Sequence, residues 1–182
     1  MNTVLAASLV LFQMVSSHGA VPAPSSASAG AGGLTWTAPK EWSVAPSASS
    51  MRVVTYRVPA AGGDAEGGEV AVFFFGPGQG GATKANVDRW LAQFRPEKGS
   101  AGPGAPASMK VGAIGVTIVT TEGTYSSGMP GGATTPKPGW ALRGAIAEGP
   151  QGPVFFKMVG PKKTVLAATT VFDALLKSLK RA

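Results

Sequence analysis

Apolar segments alternate along this chain with stretches of glycine, proline and small polar residues. Residues 51–58 (MRVVTYRV) carry apolar side chains at alternate positions, which predicts a strand with one buried face. Residues 69–75 (EVAVFFF) are apolar on both faces, as is typical of a strand covered on both sides. Three more strands are predicted at residues 110–120, 140–147 and 153–159, and the EGPQG turn joins the last two as a hairpin.

Two other segments have the apolar spacing of amphipathic helices. The first is predicted to begin with Thr83 as its N-cap and to end at Arg95, because Pro96 follows. The second is predicted to begin at Pro161 and to continue to Leu179. The order of strands, helix, strands and helix, without regular strand-helix alternation, predicts an α+β domain. We expect a mostly antiparallel β-sheet with a helix packed on each face.

The composition narrows the possible chemistry. A length of 182 residues suits one ordinary domain, and a hydrophobic fraction of 44% is enough for a core. Cysteine is absent, and the single histidine, His18, lies in a segment that we expect to be removed. Thiol nucleophiles, Ser/His/Asp triads and Cys/His zinc sites are therefore excluded. We expect a protein that is not an enzyme and that holds no cofactor or metal.

The N-terminus indicates export. Residues 4–15 (VLAASLVLFQMV) form an apolar run of the length of a signal-peptide core, too short to span a membrane. We predict a signal peptide at residues 1–19, a flexible Ala/Gly/Pro/Ser linker at 20–33 and one domain at 34–182. No Lys or Arg precedes the run, so the alternative is an apolar helix packed on the domain. The expected location is periplasmic or secreted, without a lipid anchor because no cysteine follows the run.

Several motifs are similar to those of small exported bacterial proteins of PsbP-like fold, over residues 34–179. Relatives of that fold include the extrinsic photosystem subunit PsbP, the envelope protein DcrB and a nuclear-transport factor that binds the GTPase Ran. The resemblance implies an α/β/α sandwich and a role in binding, and it supplies no catalytic residue. The motifs are W-x-x-P-x-x-W (Trp36, Pro39, Trp42), MRVVTYRV, GG-x(4)-NV-x-RW-x-x-Q (Gly80 to Gln93) and VFFKMVGP.

A long segment without periodicity, residues 122–139, is predicted to be a loop, and long loops in compact domains are often functional. Tyr125, Met129 and Trp140 lie in or beside it, so they are candidates for contact with a ligand or partner. For Trp90, which lies on the apolar stripe of the first helix, core packing is the expected role.

A second candidate site is a basic group where the last long strand meets the second helix. Lys157, Lys162 and Lys163 would form a pocket for phosphate, a lipid headgroup or an acidic protein surface, provided that the Lys157 side chain lies at that edge. Lysines in a first helical turn oppose the helix dipole, which makes their placement locally unfavourable. The alternative is that these lysines extend into solvent.

Other sites are weaker. The loop GPGQGGATK resembles a phosphate-binding loop, but Thr83 precedes Lys84, the reverse of the order that such a loop requires, so a plain loop is favoured. Asp64, Glu66 and Glu69 form the only close acidic group, which would suit a weak Ca²⁺ site or a solvated turn. The net charge of +7 is spread along the chain without a recognition motif, so nucleic acid is not an expected partner.

The leading functional hypothesis is a non-enzymatic, exported binding or accessory domain that engages a protein or an anionic envelope component. Contact with a membrane would be peripheral at most. The alternative is a small-molecule or lipid-binding module with a pocket beside the 122–139 loop. A carboxylate-dependent hydrolase is the third hypothesis.

Overall fold

The structure, a computed structural model, describes residues 28–46, 49, 51–126 and 135–182. Within these residues the chain forms eleven strands and two helices. The helices are α1 (Thr83–Leu91) and α2 (Lys162–Lys177). The strands are β1 (Ser28–Ala31), β2 (Leu34–Thr37), β3 (Ser43–Ala45), β4 (Arg52–Val58), β5 (Gly68–Phe73), β6 (Phe94–Arg95), β7 (Ala107–Val111), β8 (Ile114–Tyr125), β9 (Lys137–Gly149), β10 (Gly152–Pro161) and β11 (Lys180–Arg181).

The strands form two antiparallel sheets. The larger sheet has the order β3-β4-β5-β10-β9-β8-β6, with β7 pairing to β8, and the smaller has the order β1-β2-β11. The hairpin of β9 and β10 is the centre of the larger sheet, and its register runs from Gly149 opposite Gly152 to Trp140 opposite Pro161. The predicted hairpin and the α+β class are confirmed.

The two helices cover opposite faces of the large sheet because side chains alternate along its strands. On β9, Ala145 faces the core cluster that contains Phe172 of α2, whereas Ile146 faces the cluster that contains Trp90 of α1. Trp90 lies so close to β9 that a Cβ at Gly144 would overlap its ring. A helix therefore packs on each face, as the sequence predicts.

Residues 110–120 were predicted to form one strand. They instead contain the end of β7, a turn and the first part of β8. Gly112, with a φ of +57°, makes the turn, and Val111 pairs with Ile114. The loop is also shorter than predicted, since β8 continues to Tyr125 and β9 begins at Lys137, opposite it. The ends of β8 and β9 are rich in polar residues and glycine, so side-chain periodicity did not mark them as strands. Backbone hydrogen bonding between the two strands extends them there.

The helix boundaries differ from those predicted. The N-cap of α1 is Ala82 and no side chain caps it, so Thr83 is the first helical residue and the predicted Thr83 cap is wrong. The helix ends at Leu91 because Phe94 and Arg95 pair with β8 as strand β6. Pro161 is the N-cap of α2 and the last residue of β10.

The ordered fold includes part of the predicted linker. Ser28 pairs with Thr37, so β1 belongs to the small sheet and the domain does not begin at Leu34. Small residues give no apolar signal, yet their backbone groups pair as well as any others. Residues 1–19, with His18, and 20–27 lie outside the described residues, and their predicted roles stay predictions. No helix in the described part of the chain is long and apolar enough to cross a membrane.

Candidate functional site

A cleft of about 350 Å³ opens on the face of the large sheet against which α1 packs, at a part of that face that α1 does not cover. It crosses the large sheet from β4 and β5 to β8 and β9, next to the loop that was predicted to be functional. Aromatic, charged and glycine residues contribute to its walls. The lining residues are Arg57, Gly67, Gly68, Glu69, Tyr125, Thr135, Lys137, Trp140 and Val159.

An aromatic stack forms one wall of the cleft. The rings of Tyr125 and Trp140 are nearly parallel, at 4°, with centroids 5.5 Å apart. Phe94 packs on Tyr125 with a centroid distance of 4.9 Å, and the Lys137 ammonium lies 4.0 Å from the Trp140 ring centroid. Aromatic pairs and cation-π contacts both restrain the side chains that make them. The wall is therefore preformed.

Tyr125 and Trp140 were both predicted to contact a ligand, and the structure places them together at the cleft. Met129, the third residue of that prediction, lies outside the described residues. The strand register explains the pairing, because Tyr125 is opposite Lys137 and Gly123 is opposite Trp140 on neighbouring strands.

Lys157 lies beside this stack, on the sheet face opposite α2. Its ammonium donates to Gln93 Oε1 at 2.5 Å and lies 3.4 Å from the Tyr125 hydroxyl. Burial lowers the pKa of Lys157 to about 8, with a smaller raising effect from Glu69 and a lowering effect from Arg52. The side chain therefore does not lie at the N-terminus of α2, which was the condition for the predicted basic pocket.

The other two lysines of that prediction also have separate neighbours. Lys162 donates to Glu122 Oε1 at 2.8 Å, and Lys163 lies exposed beside the turn at Gly62. The structure thus does not bring the three ammonium groups together. Anion binding by Lys157, Lys162 and Lys163 stays a prediction.

The N-terminus of α2 already has an anion from within the chain. Asp64 Oδ2 accepts hydrogen bonds from the Thr164 backbone N–H at 2.7 Å and from the Thr164 hydroxyl at 2.9 Å. A carboxylate at a helix N-terminus also interacts favourably with the helix dipole. The turn that contains Asp64 therefore holds the start of α2.

The other two members of the predicted acidic group, Glu66 in the turn and Glu69 in β5, pair with separate cations. Glu66 lies 3.3 Å from the Lys137 ammonium, and Glu69 lies 3.6 Å from the Arg52 guanidinium. The described residues contain no group of three or more ligands that could hold a metal ion. Through Asp64, Glu66 and Glu69, the acidic group therefore contacts α2, β9 and β4 respectively.

Two further carboxylates lie near the aromatic stack, and the sequence pattern assigned a role to neither. Glu97 accepts from the Thr124 hydroxyl at 2.6 Å and from the Gly139 N–H at 3.0 Å, and these hydrogen bonds lower its pKa. The hydrogen bond from Lys162, and then that from the Ala101 N–H at 2.8 Å, lower the pKa of Glu122. Both carboxylates therefore remain ionised near neutral pH, and they connect the loop after β6 to β8, β9 and the start of α2.

From the sequence, no role at this cleft was assigned to Arg57, Glu69, Gln93 or Lys137, although Glu69 belongs to the acidic group and Gln93 ends one of the motifs. Their proximity depends on strand pairing or helix packing between distant segments. The only available signal was the alternation of β4 and β5, which would have placed Arg57 and Glu69 on one face.

No protein-family model matches this sequence, and no curated protein shows significant similarity to it. Among solved structures, the chain is similar to the solution structure of cyanobacterial PsbP (CyanoP) from Synechocystis sp. PCC 6803. The two share 10% identity over 83% of this chain and 88% of that chain, with a TM-score of 0.49. This neighbour is a PsbP, in agreement with the resemblance seen in the sequence motifs. The likeness concerns the fold alone.

Proposed function

We propose that this protein is a non-enzymatic binding domain whose ligand lies in the cleft beside the Tyr125–Trp140 stack. The observation that carries the proposal is the combination of a preformed aromatic wall with charged groups around an opening of about 350 Å³. Small-molecule sites typically pair apolar walls with a few polar groups that orient the ligand. The proposal corresponds to the second hypothesis from the sequence, a small-molecule or lipid-binding module with a pocket beside the 122–139 loop.

The charges around the cleft favour a small organic anion with a flat or apolar body. Arg57 and Lys137 line the opening, and Lys157 lies beside the aromatic wall. Among the described residues that line the cleft, Glu69 is the acidic one, and it already pairs with Arg52. A carboxylate or phosphate group between Arg57 and Lys137 would gain charge-assisted hydrogen bonds, while the body of the ligand lies against the aromatic rings.

Binding is favoured over catalysis by the state of the carboxylates. Catalysis by a carboxylate pair requires one member to hold a proton near the working pH. The pKa values of Glu97 and Glu122 are instead lowered, and Asp64 is engaged at the start of α2. Cysteine is absent from the chain, and its one histidine, His18, lies in the predicted signal peptide. We also propose that the domain acts outside the cytoplasm, on the basis of the apolar run at residues 4–15.

The leading hypothesis from the sequence, a protein or anionic envelope partner, has less support at Lys157, Lys162 and Lys163, the three lysines that suggested it. Lys162 is paired with Glu122, and Lys157 is directed toward Gln93. The cleft therefore offers the better-formed site.

The proposal is tested by thermal unfolding of the full chain in a panel of aromatic carboxylates and aryl phosphates. A compound that binds only the folded state raises the Tm in proportion to the logarithm of its excess over Kd. For a compound that does so, Arg57→Gln should weaken binding about tenfold or more, as expected for a lost charged hydrogen bond. Arg95→Gln is the matched control, because Arg95 is an exposed strand arginine that does not line the cleft.

Two results would contradict the proposal. The first is that no compound of the panel raises the Tm. The second is that Arg57→Gln and Arg95→Gln weaken binding equally, since the panel would then be sensing net charge rather than the cleft.

A further inference from the structure

The outer face of α2 carries an unusual exposed strip. Its residues recur at three- and four-residue spacing, so they lie on one side of the helix. The opposite side, with Phe172 and Leu176, is fully buried. Leu166 is 59% exposed, and a lysine lies toward each end of the strip. The exposed residues are Lys163, Leu166, Ala167, Thr170, Ala174 and Lys177.

A shallow groove of about 430 Å³ runs along one side of this strip. The helix contributes Val171 and Ala174 to it, and the turn after β2 contributes Ala38 and Pro39. Lys40, which is exposed, lies on the edge of the groove. The apolar part of the strip is thus wider than the helix alone.

The charge on this face is positive. Lys40, Lys163 and Lys177 are exposed, and no ion pair to any of them is found among the residues that the structure describes. The carboxylate of Asp173, on the same helix, is held by Arg143 through contacts of 2.7 and 2.9 Å. Among the described residues, other carboxylates near the strip are that of Glu41, which lines the groove, and that of Asp64, which accepts from Thr164 at the start of α2. The lysines are therefore available to an external anion.

The chain also enters the fold beside this face. Ser28, where the described chain begins, pairs with Thr37, whose backbone N–H donates to the Ser178 hydroxyl at 3.0 Å. Ser178 directly follows α2. The described part of the chain therefore begins beside the end of the strip.

We propose that the outer face of α2 docks peripherally on an anionic lipid surface. Leu166 and the groove side chains would lie at the boundary of headgroups and acyl chains, with Lys40, Lys163 and Lys177 among the headgroups. The two helix lysines are 14 residues apart, which is about 21 Å along the axis at 1.5 Å per residue. A strip with exposed Leu166, Ala167 and Ala174 between two lysines fits a continuous surface of negative charge. This surface is separate from the ligand cleft, so its test is independent of that proposal.

Sedimentation of the full chain with vesicles tests the charge requirement. Binding is expected to vesicles of phosphatidylcholine with phosphatidylglycerol, and not to phosphatidylcholine alone. Loss of two lysines near an anionic surface should weaken binding about 30-fold, so this is the expected effect of Lys163→Gln with Lys177→Gln. The control is Lys98→Gln with Lys110→Gln, which removes the same charge from exposed positions outside α2. It should change binding by less than about threefold, since distant exposed charges are screened. All variants retain residues 4–15, so any contribution of that run is common to them.

A second pair of variants tests the apolar centre. Leu166→Ser should weaken vesicle binding, whereas Val44→Ser, at a position that is 62% exposed on β3, should not. Absence of binding to the anionic vesicles, or an equal loss for the two lysine pairs, would overturn the proposal. Binding to polyglutamate as tight as to the vesicles, together with no effect of Leu166→Ser, would also overturn it and would identify an acidic protein surface as the partner.

Discussion

The carboxylate of Asp64 is predicted to be a main support of the start of α2. It accepts both the backbone N–H and the hydroxyl of Thr164, a residue with no exposed surface. Asp64→Ala would remove the one oxygen, Oδ2, that accepts both hydrogen bonds, without creating a new contact. Thr164 would retain its hydroxyl contacts with Ala61, which are 3.1 and 3.4 Å long, but its backbone N–H would lose its acceptor.

The expected cost follows from these contacts. Loss of an N-terminal cap costs about 0.5 to 2 kcal/mol, and loss of a hydrogen bond to a charged group costs about 1.5 to 3 kcal/mol. Because Thr164 keeps part of its bonding, we expect the free energy of unfolding to fall by about 2 kcal/mol. For a domain of this size, the Tm should fall by about 4 to 8 °C.

Urea and thermal unfolding measure this loss, with Glu66→Ala as the control in the same turn. The ion pair of Glu66 with Lys137 is exposed, so its removal should cost less than about 1 kcal/mol. An Asp64→Ala variant no less stable than Glu66→Ala would refute the reasoning. The same variant tests the predicted anion site: with Asp64 removed, inorganic phosphate should raise the Tm of the variant more than that of the wild type if Lys162 and Lys163 can hold an anion there.

Three other predictions concern the buried lysine, the close approach of α1 and the N-terminus. Since burial lowers the pKa of Lys157 from 10.5 to about 8, the unfolded chain binds more protons between these values and wild-type stability rises with pH there. The free energy of unfolding of Lys157→Met minus that of wild type, measured with urea, should therefore be lower at pH 10 than at pH 7 by roughly 2 to 3 kcal/mol. Identical pH dependence in both proteins would rule out the shifted pKa of Lys157. Gly144→Ala should cost about 1 to 3 kcal/mol by crowding Trp90, and Trp90→Leu should relieve part of that cost, whereas strictly additive effects would argue against the crowding. Intact mass of the protein from its native host should show a mature start between residues 20 and 33. Within that range the start should precede Ser28, because β1 is part of the small sheet. A product that retains Met1 would contradict export.

Local patterns in the sequence located most of the elements. The alternation of residues 51–58 and 153–159 and the helical spacing after Pro161 each depend on neighbours within one element, and the structure has β4, β10 and α2 there. The sequence also placed Tyr125 and Trp140 together at one loop, since the two flank it. These features follow from side-chain periodicity, which is a property of the chain itself.

Tertiary structure decided what depends on distant segments. Residues 28–31 became a strand because β2 offers backbone partners, and Phe94 left α1 because β8 pairs with it. The direction of Lys157 was set by the packing of α1, which brings Gln93 within hydrogen-bond distance across 64 positions of sequence. Asp64 reached the start of α2 across 100 positions. Sequence alone therefore determined where the apolar faces lie. Which polar groups meet between them was decided by strand pairing and helix packing, because those contacts join residues with no local relation to one another.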